Sequence, residues 1–236
     1  MSNTSRKNSD WMLCNTLSIE TAKNTIIGYA DIFQSIGEKV NSQTTVQGND
    51  VWQGSALVIP IPNQLGGERI SLKSNDHDDR LNGTGIQIIH LYYLDAAGYQ
   101  QTEHIDMNGT AFIYSIGTNI RFINDVVPHS SGVGGQASGD ITLFRLGTQT
   151  AIYSQINAGL TNALSSLKMI PKGKTAYIVK TTATSSGNKD VRISFRSTAF
   201  NGTMHNGTSF IDFGVLHMRD SAFTQMHEPA HKFPQF

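Results

Sequence analysis

The sequence predicts an all-β protein, an antiparallel β-sandwich or jelly-roll-like fold with extended N-terminal and C-terminal arms. Apolar residues recur at a period of two in many short runs, which is typical of half-buried strands. Turn-forming dipeptides that contain glycine separate these runs at near-regular intervals, among them Ala97-Gly98 and Asn108-Gly109. A length of 236 residues fits one large β domain. Two sheets packed face to face would bury the alternating apolar side chains.

Residues 1–45 are predicted to form an N-terminal arm. The first ten residues are polar. Within 17–37, apolar residues at helical spacing permit a short amphipathic helix, whereas Gly28 and Gly37 weaken one. We therefore expect an extended arm with about one helical turn.

Residues 46–220 are predicted to form the sandwich, and 221–236 a C-terminal tail. The alternation is clearest where Val191, Ile193 and Phe195 interleave with polar residues. The predicted strands are Ala56–Ile61, Arg69–Lys73, Ile86–Leu94, Ala111–Ile116, Ile120–Val127, Ile141–Leu146, Ala151–Ile156, Ala176–Thr181, Val191–Arg196 and Phe210–Met218.

The tripeptide Asn-Gly-Thr occurs four times, starting at Asn82, Asn108, Asn201 and Asn206. It matches the glycosylation acceptor pattern of secreted proteins. No signal-peptide h-region lies near the N-terminus, however, so synthesis in a cytosol is expected. We therefore predict that each Asn-Gly supplies the positive φ angles of a tight hairpin and that Thr starts the next strand.

The charge balance argues against nucleic-acid and membrane partners. Lys plus Arg and Asp plus Glu number 18 each, which makes the formal net charge zero, and no basic stripe is present. No apolar run reaches the roughly 18 residues of a membrane span. Cys14 is the single cysteine, so an intrachain disulfide is excluded.

A zinc-protease pattern occurs near the C-terminus, at His227-Glu228-Pro229-Ala230-His231. Zinc hydrolysis needs both histidines on one helical face with the glutamate beside the metal-bound water. Pro229 opposes a helix there. The pattern therefore favours an extended polar tail.

The densest acidic cluster contains Asp76, Asp78 and Asp79. Calcium binds where several carboxylate and carbonyl oxygens converge, but the Gly and Glu of an EF-hand loop are absent. The cluster favours a solvated loop or a subunit contact, and it leaves a surface cation site open as an alternative.

Other chemical patterns are incomplete. The glycine-rich segment Ser131–Gly139 lacks the lysine of a phosphate-binding loop. Cys14 has no recognisable histidine partner pattern. We therefore predict no enzyme activity, no cofactor and no catalytic or metal-binding residues. Aromatic side chains able to stack on sugars are Tyr92, Tyr93, Tyr99 and Trp52.

The order of motifs between Ser71 and Gly139 resembles a family of virion structural proteins of tailed bacteriophages. The matching features, in chain order, are the Ser- and Asp-rich segment Ser71–Arg80, Gly83-Thr84-Gly85, a strand ending in Leu94-Asp95, a strand that carries Glu103 and leads to Asn108-Gly109-Thr110, Arg121, and the glycine-rich turn up to Gly139-Asp140-Ile141. The family has Leu where this chain has Met107.

The resemblance implies a structural component of a tailed-phage virion, in the neck, tail or fibre attachment or on the head surface. The expected partners are further copies of the chain, as a homo-oligomer, and other virion proteins. The expected location is the virion, after synthesis in the host bacterial cytoplasm. The alternative left open is a carbohydrate-binding β-sandwich module.

Overall fold

A computed structural model describes residues 36–38, 50–53, 59–62, 66–147, 149–174, 176–185, 190–197, 211–219 and 222–233. The chain divides into two compact units, Met1–Ile36 and Gly37–Phe236. Apart from residues 36–38, which form no regular element, the predicted arm 1–45 lies outside the described residues, and so does Cys14. None of the described residues belongs to a helix that could cross a membrane.

The described part is all-β and antiparallel, which confirms the predicted fold class. Its strands are β1 (Ile70–Ser74), β2 (Ile86–Asp95), β3 (Gln100–Asp106), β4 (Ile113–Tyr114), β5 (Ile120–Ser131), β6 (Ile141–Arg145), β7 (Ile152–Ile156), β8 (Ala176–Thr184), β9 (Val191–Ser197), β10 (Ile211–Met218) and β11 (Ala222–Phe233).

Two sheets form the sandwich. One has four strands in the order β4-β1-β6-β7, and the other has three in the order β3-β2-β5. Consecutive strands β1 and β2 belong to different sheets, as do β3 and β4, so the chain crosses between sheets at these connections. The pairs β9–β10 and β8–β11 form separate two-stranded sheets.

Both sheets contribute inward-facing side chains to one hydrophobic core. Alternation along each strand turns one set of side chains inward. Burying a large aliphatic side chain of this kind contributes about 1.5–3 kcal/mol. The fully buried members are Ile70, Leu72, Ile86, Ile89, Leu91, Ile120, Val126, Ile141, Leu143 and Ile156.

The observed strands differ from the predicted set at β3, at β4, in the run Ala56–Ile61 and at β11. β3 was not among the predicted strands, because its sequence, Gln-Gln-Thr-Glu-His-Ile-Asp, is polar and follows no apolar alternation. β4 is only two residues long, whereas the pattern predicted Ala111–Ile116. In the predicted run Ala56–Ile61, the described residues 59–61 are not in a strand.

The segment predicted as a C-terminal tail contains β11. This strand pairs antiparallel with β8, from Ala222 opposite Thr184 to Phe233 opposite Ala176. The backbone of β11 is extended, as expected for the tail, but it pairs with β8 in a sheet of the same chain.

The hairpin interpretation of Asn-Gly-Thr was wrong at both described copies. Asn82 has a φ of 61° and Gly109 has a φ of 61°, so the positive angles are present. However, Asn82 lies between β1 and β2 and Asn108 between β3 and β4, where the chain changes sheets. The copies at Asn201 and Asn206 lie outside the described residues.

The buried carboxylate of Asp79 holds the connections at one end of the sandwich together. Asp79 is 0% exposed. Its two oxygens accept hydrogen bonds from the Ser74 hydroxyl at 2.6 Å and from the backbone N–H groups of Ile86 at 2.8 Å, Ser138 at 3.0 Å and Gly139 at 2.9 Å. One side chain therefore ties the end of β1, the start of β2 and the loop before β6.

Glycines let the backbone approach this carboxylate closely. A Cβ at Gly85 would overlap Asp79 Oδ1 and lie 2.5 Å from Ser138 Oγ. The glycine-rich loop packs against the same segment, since the Gly132 N–H donates to the Gly85 carbonyl at 2.7 Å. Glycine is thus required at these points because no side chain fits between the two segments.

Asp79→Ala is expected to lower the free energy of unfolding by about 3–5 kcal/mol, because several buried donors lose their acceptor. Asp79→Asn keeps one acceptor oxygen and should give a smaller loss. Urea unfolding monitored by circular dichroism measures both effects. The matched control is Asp78→Ala, at an exposed neighbour, where the change should stay near 0.5 kcal/mol. Equal losses at the two positions would contradict the role assigned to Asp79.

Gly85→Ala is expected to cost about 1–3 kcal/mol, because the added methyl group must displace Asp79 or Ser138. Gly66→Ala is the control, since a Cβ there meets nothing within 4 Å. That control should be neutral or stabilising by up to about 1 kcal/mol. A Gly85→Ala protein as stable as the control would contradict the requirement for glycine between Asp79 and Ser138.

Candidate functional site

Three histidines meet on the outer face of the three-stranded sheet. His90 lies on β2, His104 on β3 and His129 on β5, and one ring nitrogen from each lies within 4.8 Å of the other two. The His104 and His129 rings stack with centroids 3.9 Å apart, and His90 meets His104 edge-on at 4.5 Å. His90 is half-buried, and the other two are exposed. We call these three residues the histidine cluster.

Strand pairing places the first two histidines together. His90 and His104 are direct partners across the β2–β3 hairpin. Asp95 organises the hairpin turn, because its Oδ1 accepts the N–H groups of Ala97 at 2.9 Å and Tyr99 at 3.0 Å. Directly opposed side chains on one face of antiparallel strands have Cβ atoms about 4.5–5.5 Å apart, so the two rings are brought into contact.

A β-bulge brings in the third histidine. Ile88 pairs with Ser130 and Ile89 pairs with Pro128, so His129 is an extra residue in β5 with no partner on β2. Bulges bend the strand and redirect side chains. The bulge therefore aligns a residue of β5 with the pair on β2 and β3.

The cluster disfavours charge on the His90 ring. Burial lowers the pKa of His90, and the neighbouring His104 and His129 rings lower it further. Within the described part of the chain, no hydrogen bond uses a ring nitrogen of the three residues. Neutral imidazole is the form of histidine that binds metal ions.

Glu103 precedes His104 on β3 and faces the other way. Its Oε2 accepts the N–H groups of Ile116 at 3.1 Å and Gly117 at 2.8 Å, whereas Oε1 is buried without a hydrogen-bond partner. Burial raises the pKa of Glu103, opposed by the two N–H groups and by Arg69. With Tyr93, Glu103 lines an open groove of about 640 Å³. Its hydrogen bonds fix the turn that follows β4.

Large apolar side chains are exposed around the edge strand β4. Phe112 is 37% exposed, Tyr114 48% and Ile116 76%. The cationic groups of Lys73 and Arg69 lie 4.7 Å and 5.3 Å from the Phe112 and Tyr114 ring centroids. We call Phe112, Tyr114 and Ile116 the apolar edge. Exposed apolar groups gathered in this way are typical of interaction surfaces.

The zinc-protease pattern does not adopt the geometry that its chemistry requires. His227 to His231 lie within β11, where the backbone is extended and the register shifts between Met226 and His231. A zinc-protease site needs its two histidines on one turn of helix. The helix is absent from this described segment, as Pro229 predicted.

The acidic cluster does not converge on a common point. Both Asp79 oxygens accept hydrogen bonds from buried donors. Asp76 Oδ1 accepts the Asp78 N–H at 2.8 Å, and Asp78 Oδ2 accepts the Thr84 hydroxyl at 3.3 Å. Among the residues described, the histidine cluster is the only group of three or more His, Cys, Asp or Glu ligand atoms gathered closely enough for one ion.

The four aromatic residues predicted to be able to stack on sugars differ in burial. Trp52 is 1% exposed and Tyr93 7%, so neither offers a ring face to a sugar. Tyr99 is 50% exposed, with Lys172 over its ring at 5.3 Å. Tyr92 is half-buried, with its ring centroid 4.2 Å from that of His90.

The sequence contained part of the signal for the histidine cluster. His90 and His104 each lie seven residues from Ala97, the centre of the predicted turn. A hairpin centred there pairs the two. Nothing in the local pattern indicates the bulge that adds His129.

No protein-family model, no curated protein and no solved structure matches this chain. A proposal for its function therefore rests on the sequence and on the geometry of the described residues.

Proposed function

We propose that the protein is a structural subunit of a tailed-bacteriophage virion, in the neck, tail or fibre attachment or on the head surface. It acts by packing against further copies of itself and against other virion proteins. The observation that carries the proposal is the apolar edge, where Phe112, Tyr114 and Ile116 are exposed around one edge strand of a sandwich with a buried core.

The apolar edge suits a contact between subunits. Ile116 is 76% exposed, so its burial against a neighbour would remove apolar surface from water. Arg69 and Lys73 lie over the adjacent rings and supply polar groups around the apolar centre. An apolar centre with a polar rim is the usual composition of a subunit interface.

The open edge of β3 offers a second means of association. β3 ends its sheet and pairs only with β2 among the described strands. Its sequence contains neither Lys nor Pro, which commonly block edge-to-edge pairing. An extended arm from a neighbouring subunit could add to this edge through main-chain hydrogen bonds.

The motifs that carry the family resemblance also contact one another. Asp79 of the Ser- and Asp-rich segment binds the N–H groups of Ser138 and Gly139 in the glycine-rich loop. Gly85 of Gly-Thr-Gly accepts a hydrogen bond from Gly132. The motifs on which the resemblance rests therefore form one set of packing contacts in this chain.

The purified chain is expected to form a closed oligomer, measured as its mass by light scattering over a range of concentrations. The double substitution Tyr114→Ser and Ile116→Ser should weaken assembly at least tenfold, or about 1.4 kcal/mol, because it removes apolar contacts. Both side chains are substantially exposed, so the fold should persist.

Val133→Ser is the matched control, because Val133 is 95% exposed in the glycine-rich loop, away from the apolar edge. It should assemble as the wild-type chain does. A wild-type chain that stays monomeric at high concentration would contradict self-packing. Binding of that monomer to a glycan array would then favour the carbohydrate-binding alternative.

A further inference from the structure

We propose that the histidine cluster is a binding site for a divalent first-row transition-metal ion. One imidazole nitrogen from each of His90, His104 and His129 would bind the ion, and water would occupy the fourth position. Its ligands are different side chains from those of the apolar edge, although His104 and Ile116 line the same groove. The proposal therefore does not depend on the proposed structural role.

The spacing of the ligand atoms is close to that of a formed site. Zinc–nitrogen bonds are about 2.0–2.1 Å, which puts two nitrogens of a tetrahedral site about 3.4 Å apart. The three histidine nitrogens already lie within 4.8 Å of one another. To close the site around a zinc ion, side-chain rotations must move each nitrogen by about 1 Å. They must also turn the stacked His104 and His129 rings so that their nitrogen lone pairs converge. His104 and His129 are exposed and have room to make these rotations.

The backbone that carries the ligands is already organised. His90 and His104 are paired across the β2–β3 hairpin, and β5 pairs with the other side of β2. Ordering three side chains on a formed sheet costs less conformational entropy than gathering them from separate loops. The bulge at His129 is a feature often found beside functional sites, where it redirects a side chain.

The donor set indicates the class of ion. The group contains three imidazoles and no carboxylate. Imidazole suits zinc, copper and nickel, whereas calcium and magnesium require oxygen ligands. Three protein ligands and an open, solvent-facing position form a coordination shell that zinc accepts. An ion held there would link β2, β3 and β5 and so stabilise the three-stranded sheet.

Titration of the chelator-stripped full chain with Zn²⁺ tests the proposal. Calorimetry should give one ion bound at the cluster, with a dissociation constant in the micromolar range or tighter. At about 100 times that constant, Zn²⁺ should raise Tm by about 5–10 °C, since it binds the folded state. Ca²⁺ at the same concentration should leave Tm unchanged. A Tm and a titration unaffected by Zn²⁺ would overturn the proposal.

Two double variants identify the ligands. His104→Asn with His129→Asn should reduce Zn²⁺ affinity at least tenfold and abolish the Tm increase. Both side chains are exposed, so Tm without metal should change little, and His104→Asn alone serves if the pair fails to fold. The control, His227→Asn with His231→Asn, should bind as the wild-type chain does. Loss of Zn²⁺ binding only in that control would overturn the assignment and would place the metal site at His227 and His231 instead.

Discussion

The fold depends on one buried carboxylate, that of Asp79, which accepts hydrogen bonds from several donors. Asp79 joins the end of β1, the start of β2 and the loop before β6, and it is inaccessible to solvent. A buried carboxylate is tolerated only where hydrogen bonds replace its hydration. The surrounding backbone must therefore hold its N–H groups at fixed positions. Glycines allow the close approach, since a Cβ at Gly85 would overlap Asp79 and one at Gly139 would overlap Asn75 and Asp76. The connections between the two sheets are shaped by this requirement.

Strand β3 contributes to both surfaces to which we assign a role. Glu103 turns inward and holds the backbone of Ile116, a member of the apolar edge. His104, the next residue, turns outward into the histidine cluster. Neighbouring residues of one polar edge strand thus contribute to a proposed subunit contact and to a proposed metal site. The two surfaces adjoin, since Glu103, His104 and Ile116 line one groove.

The apolar alternation was enough to predict most of the sandwich. In β2, Ile89, Leu91 and Tyr93 are buried at a period of two, and so are Ile120 and Phe122 in β5. β3 has no such pattern because it is a polar edge strand, so only its pairing with β2 in the structure identifies it as a strand. The resemblance to virion proteins likewise rests on motif order, which sequence displays directly, and it remains a proposal for this chain.

The sequence alone determined the all-β class, most of the strands that supply the core and the turn at Ala97-Gly98. The tertiary structure alone decided that Asp79 is buried, since its partner Ser138 lies 59 residues away. It also decided that His129 joins the cluster, because this depends on one extra residue in the pairing of β5 with β2. Local patterns report which face a strand buries, whereas register, bulges and contacts between distant loops are set by the packing of the whole chain.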